Sequence, residues 1–339
     1  MPLGARAARG ASDESDERCC DLPLTVTAKR ASGMTIKPAQ LGGYVPLALQ
    51  PDWVLERYYG WSVLDHESCL KLLERRIGPV VRHLILTRGA PLDAVERLSS
   101  RHRLFHFLGI VSLNDFSGSE NVPRMVAGRA MRQVNSARWF GVGTFVLDLR
   151  ETEETLWNRI TSRERSQCRS ARDRGVRVVL QDRPSSEDLS EFLCLYEPVA
   201  WERNLERPTM AKLEAIASTG ALTLARCASG SGAVKIVNLI YRAHDQGYLL
   251  FSAKSHEVPA GTGRLVHWET ARDLKHRGYH FYDLGLVGSQ DPRDGVFLFK
   301  RSLGGTFVSA GAEFEWVSPL LGPMRKLVAH WHGPSPANR

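Results

Sequence analysis

Residues 233–254 read AVKIVNLIYRAHDQGYLLFSAK. Two apolar-rich runs with strand-like alternation flank His244-Asp245-Gln246, a link short enough only to reverse the chain, so the stretch predicts an antiparallel hairpin. RLVHWETARDLKHRG follows with helical apolar spacing and a terminal glycine, and HFYDLGL then returns as a strand. A hairpin, a helix and a further strand serving one sheet make that sheet mixed. The hairpin thereby excludes a plain doubly wound Rossmann sheet and places the chain in the α/β class with mixed α+β sheets.

The flanking segments extend this pattern. GTFVLDL is an alternating strand, and TEETLWNRITSRERSQCRSARDRG reads as one long helix with acids near its start and Gly175 past its end. VRVVL and ALTLARCA read as strands, EDLSEFLCLYEPVAWERN and TMAKLEAIAST as helices, and FLFKRSLGGTFVSAG as a closing strand. Upstream, WVLERYY, ESCLKLLERRIG and APLDAVERLSSRH read as helices, and VVRHLILT and LFHFLGIVSL as strands. The expected organisation is a disordered tail over 1–35, a first unit over 36–144, a second over 145–322 and a tail over 323–339.

The net charge of +8 directs attention to anionic partners such as nucleic acid, phosphorylated metabolites or a membrane surface. No apolar run approaches the roughly 18 residues of a membrane span, and no signal-peptide core is visible, so a cytoplasmic protein is expected. The six cysteines include no CxxC pair, and the histidines have no partner at metal-ligand spacing, so no metal is expected. A serine-hydrolase elbow and a Walker lysine are both missing. Gly261-Thr262-Gly263 offers a G-x-G before a helix, but Val258 occupies the place where a pyrophosphate loop carries a basic or amide residue.

Taken in order, five pieces resemble the FemABX-type aminoacyl (peptidyl) transferases, which are built from two tandem GNAT (acyl-CoA N-acyltransferase)-like domains. They are the strand ending in LDL with RSQCRSARDRGVRVV, the helix FLCLYEPVAWERN, the hairpin NLIYRAHDQGYLLFSAKS, the run LVHWETARDLKHRGYHFYDLGL, and FLFKRSLGG in the place of the family's F-K-x-x-F-G-G. The likeness runs from about residue 144 to 312. The long helical arm of the larger members is not expected here, since the span from Gly175 to Lys212 has no sustained heptads.

The resemblance implies transfer of an aminoacyl group from aminoacyl-tRNA to the amine or hydroxyl of a small, anionic acceptor, such as a peptidoglycan precursor or natural-product intermediate. Aminoacyl-tRNA is then a co-substrate, and no cofactor, membrane span or DNA is involved. An acyl-CoA-dependent N-acyltransferase on the same fold, and a non-catalytic RNA-binding module, are the alternatives. Lys300 is the expected oxyanion-stabilising cation, because one fixed donor at a developing oxyanion contributes about 3–4 kcal/mol. Asp115 is a candidate to hold or deprotonate the acceptor amine. Arg203, Tyr248, Asp283, Gly304 and Gly305 are the expected substrate-binding positions. Arg159, Arg163, Arg165, Arg169 and Arg172, with Arg301, are the expected tRNA-binding cations, since successive helical turns bring Arg159 near Arg163 and Arg165 near Arg169 and Arg172. A solvated helix face is the bland reading of the same arginines.

Overall fold

The computed structural model describes residues 41–50, 60–67, 69–116, 125–134, 141–203, 205, 207–228, 234–255 and 258–321. WVLERYY and the two expected tails, 1–35 and 323–339, lie outside the described residues.

The first sheet is built from β1 (Ser62–Glu67), β2 (Leu70–Ile77), β3 (Val80–Thr87), β4 (Gly109–Asp115) and β7 (Arg132–Gln133), with α1 (Leu92–Arg101) crossing between β3 and β4. β5 (Met125–Val126) and β6 (Arg129–Ala130) form a separate two-stranded ribbon. The sheet order is β1-β2-β3-β4-β15-β7, where β15 is Ala312–Val317 from the far end of the chain. β15 pairs antiparallel with β4, from Ala312 opposite Asp115 to Val317 opposite Ile110.

ESCLKLLERRIG, expected as a helix, is the strand β2. Its leucines, Lys71 and arginines favour helix intrinsically, but Leu70 and Leu72 face the core under α1 while Leu73 faces the other core, and that two-residue alternation decides the element. LFHFLGIVSL becomes strand only from Gly109 onward.

The second sheet has the order β14-β8-β13-β12-β11-β10-β9. Its strands are β8 (Gly143–Asp148), β9 (Arg177–Asp182), β10 (Leu222–Ala228), β11 (Val234–Ala243), β12 (Gln246–Lys254), β13 (Phe281–Val287) and β14 (Thr306–Ser309). The expected hairpin is β11–β12, antiparallel, and β12 pairs parallel with β13. Its helices are α2 (Glu153–Arg159), α3 (Ser162–Asp173), α4 (Ser186–Arg203), α5 (Met210–Ala217), α6 (Thr262–His276) and α7 (Gly295–Ser302).

Two of these helices correct the sequence reading. The long helix expected over TEETLWNRITSRERSQCRSARDRG is broken at Ile160, whose extended backbone sends its side chain into the core while Arg165 donates to the Asn158 and Ile160 carbonyls at 2.9 and 2.6 Å. That guanidinium satisfies carbonyls left open at the end of α2. FLFKRS, expected as strand, is the helix α7. Asp294 caps it by accepting from the Phe297 N–H at 2.8 Å, and only TFVS enters the sheet.

Three cores result. One lies under α1 on the first sheet, and another between the second sheet and α2, α3, α6 and α7. The third joins Tyr44, Ala48 and Leu49 to Leu73, Leu84 and Leu86 of the first sheet and to α4, α5 and the opposite face of the second sheet. Residues 41–50 are therefore packed between the two sheets. No helix among the described residues is long and apolar enough to cross a membrane.

Candidate active site

The parallel pairing of β12 with β13 stops after Tyr248 and Asp283. Beyond that point β12 runs on to Lys254 against β11, and β13 runs on to Val287 against β8. The two strands part, and their facing edges open a wedge in the sheet.

Gly285 sits where they part, with φ +80°, and a Cβ there would meet the Leu249 carbonyl at 2.9 Å and the Lys300 Nζ at 3.4 Å. The left-handed backbone and the close Leu249 carbonyl make this a glycine position, and the lysine lies in ordinary contact beside it. Lys300, in the last turn of α7, donates from Nζ to the carbonyls of Gly285 and Leu286, both at 2.8 Å. An ammonium has three N–H donors; β13 takes two, and the third has no partner among the described residues. Burial pushes the Lys300 pKa down from 10.5 to about 8, with Asp283 and Asp294 opposing the shift.

Asp283 is the buried carboxylate beside this lysine. It accepts from the Tyr44 hydroxyl at 2.5 Å, from the Gly285 N–H at 2.8 Å, and from the Thr144 hydroxyl. Burial raises its pKa, while Thr144, Tyr44, the Gly285 amide and Lys300 act to lower it. His267, on α6, is fully buried with Nδ1 3.0 Å from the Tyr282 hydroxyl. Burial first and the neighbouring Lys300 charge second push its pKa down to about 3, so at neutral pH it is an uncharged imidazole.

The sequence-expected positions separate into groups. Lys300 and Asp283 are brought together. Tyr248 is buried nearby, but its hydroxyl accepts from Gln50 Nε2 at 2.6 Å and lies 2.7 Å from the Val45 carbonyl, so it fastens residues 41–50 to the second sheet. Gly304 and Gly305 are accounted for by the chain's own packing. Gly304 has φ +84° and a Cβ there would be 2.7 Å from Arg159 Cβ, while one on Gly305 would be 3.1 Å from Phe145 Cβ. Asp115 is buried at the end of β4 in the first sheet, where it accepts from the Gly89 N–H at 3.3 Å. Arg203 is exposed at the end of α4.

The arginines are not one uniform ridge. Arg159 pairs with Glu151 at 2.7 Å, Arg172 with Glu269 at 2.7 Å, and Arg165 caps α2 as described. Arg163, Arg169 and Arg301 are solvent-exposed. The glycine of the AGTGR loop is also explained by packing: a Cβ on Gly261 would lie 2.2 Å from the Gln167 carbonyl of α3.

Sequence reasoning missed Tyr44, Thr144 and His267. His267 was legible as a polar residue in LVHW on the inward face of an apolar helix, but its neighbour Lys300 comes from another element 33 positions on. Among the described residues no group of His, Cys, Asp and Glu is arranged to hold a metal ion.

No protein-family model and no curated protein matches the chain. Solved structures do. FemX superimposes with a TM-score of 0.58 at 15% identity, covering 83% of this chain and 97% of FemX. The C-terminal DUF2156 domain of a putative lysylphosphatidylglycerol synthetase from Agrobacterium fabrum gives a TM-score of 0.54 at 12% identity, over 81% of this chain and 90% of that one. L-PGS from Bacillus licheniformis gives 0.51 at 14% identity, over 83% and 92%. At such identities the likeness is one of fold, and the two mixed sheets with their covering helices resemble the tandem GNAT-like fold, shared with FemX.

Proposed function

We propose that this protein is an acyltransferase that moves an aminoacyl group from aminoacyl-tRNA to the amine, or the hydroxyl, of a small acceptor. The observation that carries the reading is the Lys300 ammonium, buried where β12 and β13 part, with two donors held by β13 carbonyls and a third unused. Attack of the acceptor amine on the ester carbon forms a C–N bond and places negative charge on the former carbonyl oxygen. The third Lys300 N–H donates to that oxygen in a water-poor setting, where such a donor is worth most. Collapse breaks the C–O bond to the ribose, and the proton lost by the amine ends on the departing ribose oxygen. The ester is already activated, so the protein's work is positioning and charge stabilisation.

Asp283 holds the strand junction that seats Lys300, through Gly285, Thr144 and Tyr44. Arg163, Arg169 and Arg301 contact tRNA phosphates, with Arg159 and Arg172 adding to the field around them, and Arg203 orients an anionic acceptor. The shared fold with FemX, and with a synthetase whose name states an aminoacylated lipid as product, supports this class of reaction.

The test compares binding of a hydrolysis-resistant aminoacyl-tRNA analogue with binding of acetyl-CoA, each across a salt series. Tight, steeply salt-dependent tRNA binding is expected. Micromolar acetyl-CoA binding with a flat tRNA response would overturn the tRNA-dependent reading in favour of an acyl-CoA donor.

A further inference from the structure

Asn238 lies in the middle of β11 at 1% exposure, and among the described residues neither its Oδ1 nor its Nδ2 has a hydrogen-bond partner. A buried carboxamide with both ends unmatched opposes folding, and native chains keep such groups where something else uses them. Its neighbours fix the face it occupies. Ile236 and Ile240, two residues to either side, belong to the core beneath α6, whereas Val237 and Leu239 belong to the core beneath α4. Asn238 therefore faces α6.

Its cross-strand neighbours are Ala225 on β10 and Ser252 on β12. Ser252 is exposed, so the face opens to solvent one strand away from Asn238. Ser252 also belongs to the stretch of β12 that has left β13, the edge of the wedge. Just past that edge, the buried Ser255 Oγ likewise has no partner among the described residues. Two strand spacings, roughly 10 Å, separate β11 from β13, where Lys300 is seated. Overhead lies the first turn of α6, where a Cβ on Gly263 would rest in ordinary contact with Ile236 and Phe299, at 3.8 and 3.9 Å.

We propose that Asn238 is a specificity-determining residue that receives an uncharged hydrogen-bonding group, an amide or hydroxyl, on the acyl group being transferred. The inference rests on the acyltransferase reading above and deepens it. A group with both a donor and an acceptor satisfies both ends of the carboxamide, whereas an alkyl side chain satisfies neither. A site built to hydrogen-bond its substrate rejects analogues that lack the group, because its own polar atoms are then left unpaired.

The experiment uses the full chain and its Asn238→Leu variant, in which a near-isosteric apolar side chain replaces the carboxamide. Binding is measured for hydrolysis-resistant tRNA analogues carrying alanyl, leucyl, seryl, asparaginyl and glutaminyl groups, and thermal midpoints are measured without ligand. The wild type is expected to favour at least one of the seryl, asparaginyl and glutaminyl analogues over the alanyl and leucyl ones by about tenfold or more. In Asn238→Leu that ratio falls to near one and the midpoint rises by a few degrees. Equal binding of all five by the wild type, or an unchanged ratio in the variant, overturns the inference while leaving tRNA-dependent transfer standing. A fall in the midpoint also overturns it, since Asn238 is then satisfied inside the fold. If the wild type binds none of the five, the tRNA-dependent reading fails, and the comparison passes to acetyl-CoA, whose pantetheine arm carries amides. There Asn238→Leu must weaken binding about tenfold or more, and an unchanged affinity overturns the inference as well.

Discussion

Replacing Lys300 by methionine separates the cost of the buried ammonium from its use. The folded-state pKa of about 8 lies below the ordinary 10.5. Below pH 8 the lysine is protonated both folded and unfolded, and the folded protein carries the whole penalty of the buried charge. Between pH 8 and 10.5 the folded state releases the proton while the unfolded state still holds it, so stability rises with pH. Above 10.5 both forms are neutral and the penalty is gone. At 1.36 kcal/mol per pKa unit, the shift from 10.5 to about 8 corresponds to about 3 kcal/mol. Urea unfolding of wild type and Lys300→Met at pH 7 and near pH 11 reads this directly, because the other titrating groups largely cancel in the difference. The wild type should gain about 3 kcal/mol relative to the variant over that range. Lost hydrogen bonds to Gly285 and Leu286 set an offset between the two proteins but not this slope. At pH 7 the ammonium dominates about tenfold over the amine, so turnover should fall above pH 8 as the donor is lost, and Lys300→Met should reduce kcat by about 10²–10³. A stability difference that stays flat across this range would refute the buried-ammonium argument, and full turnover in Lys300→Met would refute the catalytic one.

Other substitutions test the surrounding geometry. Asp283→Ala strips the Tyr44 hydroxyl and the Gly285 N–H of their acceptor, leaves Thr144 only the Gly285 carbonyl at 2.8 Å, and should cost about 2–3 kcal/mol or more in denaturant unfolding; a change within 0.5 kcal/mol would mean that the junction does not depend on it. Gly261→Ala forces a Cβ to 2.2 Å from the Gln167 carbonyl at φ +88° and should lower the thermal midpoint by several degrees, as read by calorimetry. Arg163→Ala and Arg169→Ala should each flatten the log–log salt slope of tRNA binding by about 0.7–0.9 with little loss of stability. Arg165→Ala should instead destabilise the fold, since it uncaps α2.

Much of the second sheet was legible because its strands and helices carry their own periodicity. The β11–β12 hairpin and α6 sit where their spacing placed them, and Lys300 was singled out by the FLFKRSLGG context. The same context suggests the wrong element: the apolar run FLF suits a strand, and the cap supplied by Asp294 outweighs it. β2 failed for the opposite reason, a helix-favouring composition overruled by pairing on both sides. The wedge itself had no local signal. It arises because β12 and β13 keep different partners beyond Tyr248 and Asp283, a long-range fact. Tyr44 was equally hidden, since it meets Asp283 across 239 positions of chain.

The placement of β15 has a consequence for how the molecule is made. The first sheet receives its fifth strand from residues 312–317, seated between β4 and β7. A nascent chain leaving the ribosome therefore carries β4 with an open edge through the synthesis of the entire second sheet. That edge closes only when the end of the chain arrives, so a fragment ending near residue 140 retains an unpaired strand as a template for association with other chains. The stretch between the last early strand of the first sheet and the first strand of the second is thus not a place at which the chain can be cut into two self-contained pieces.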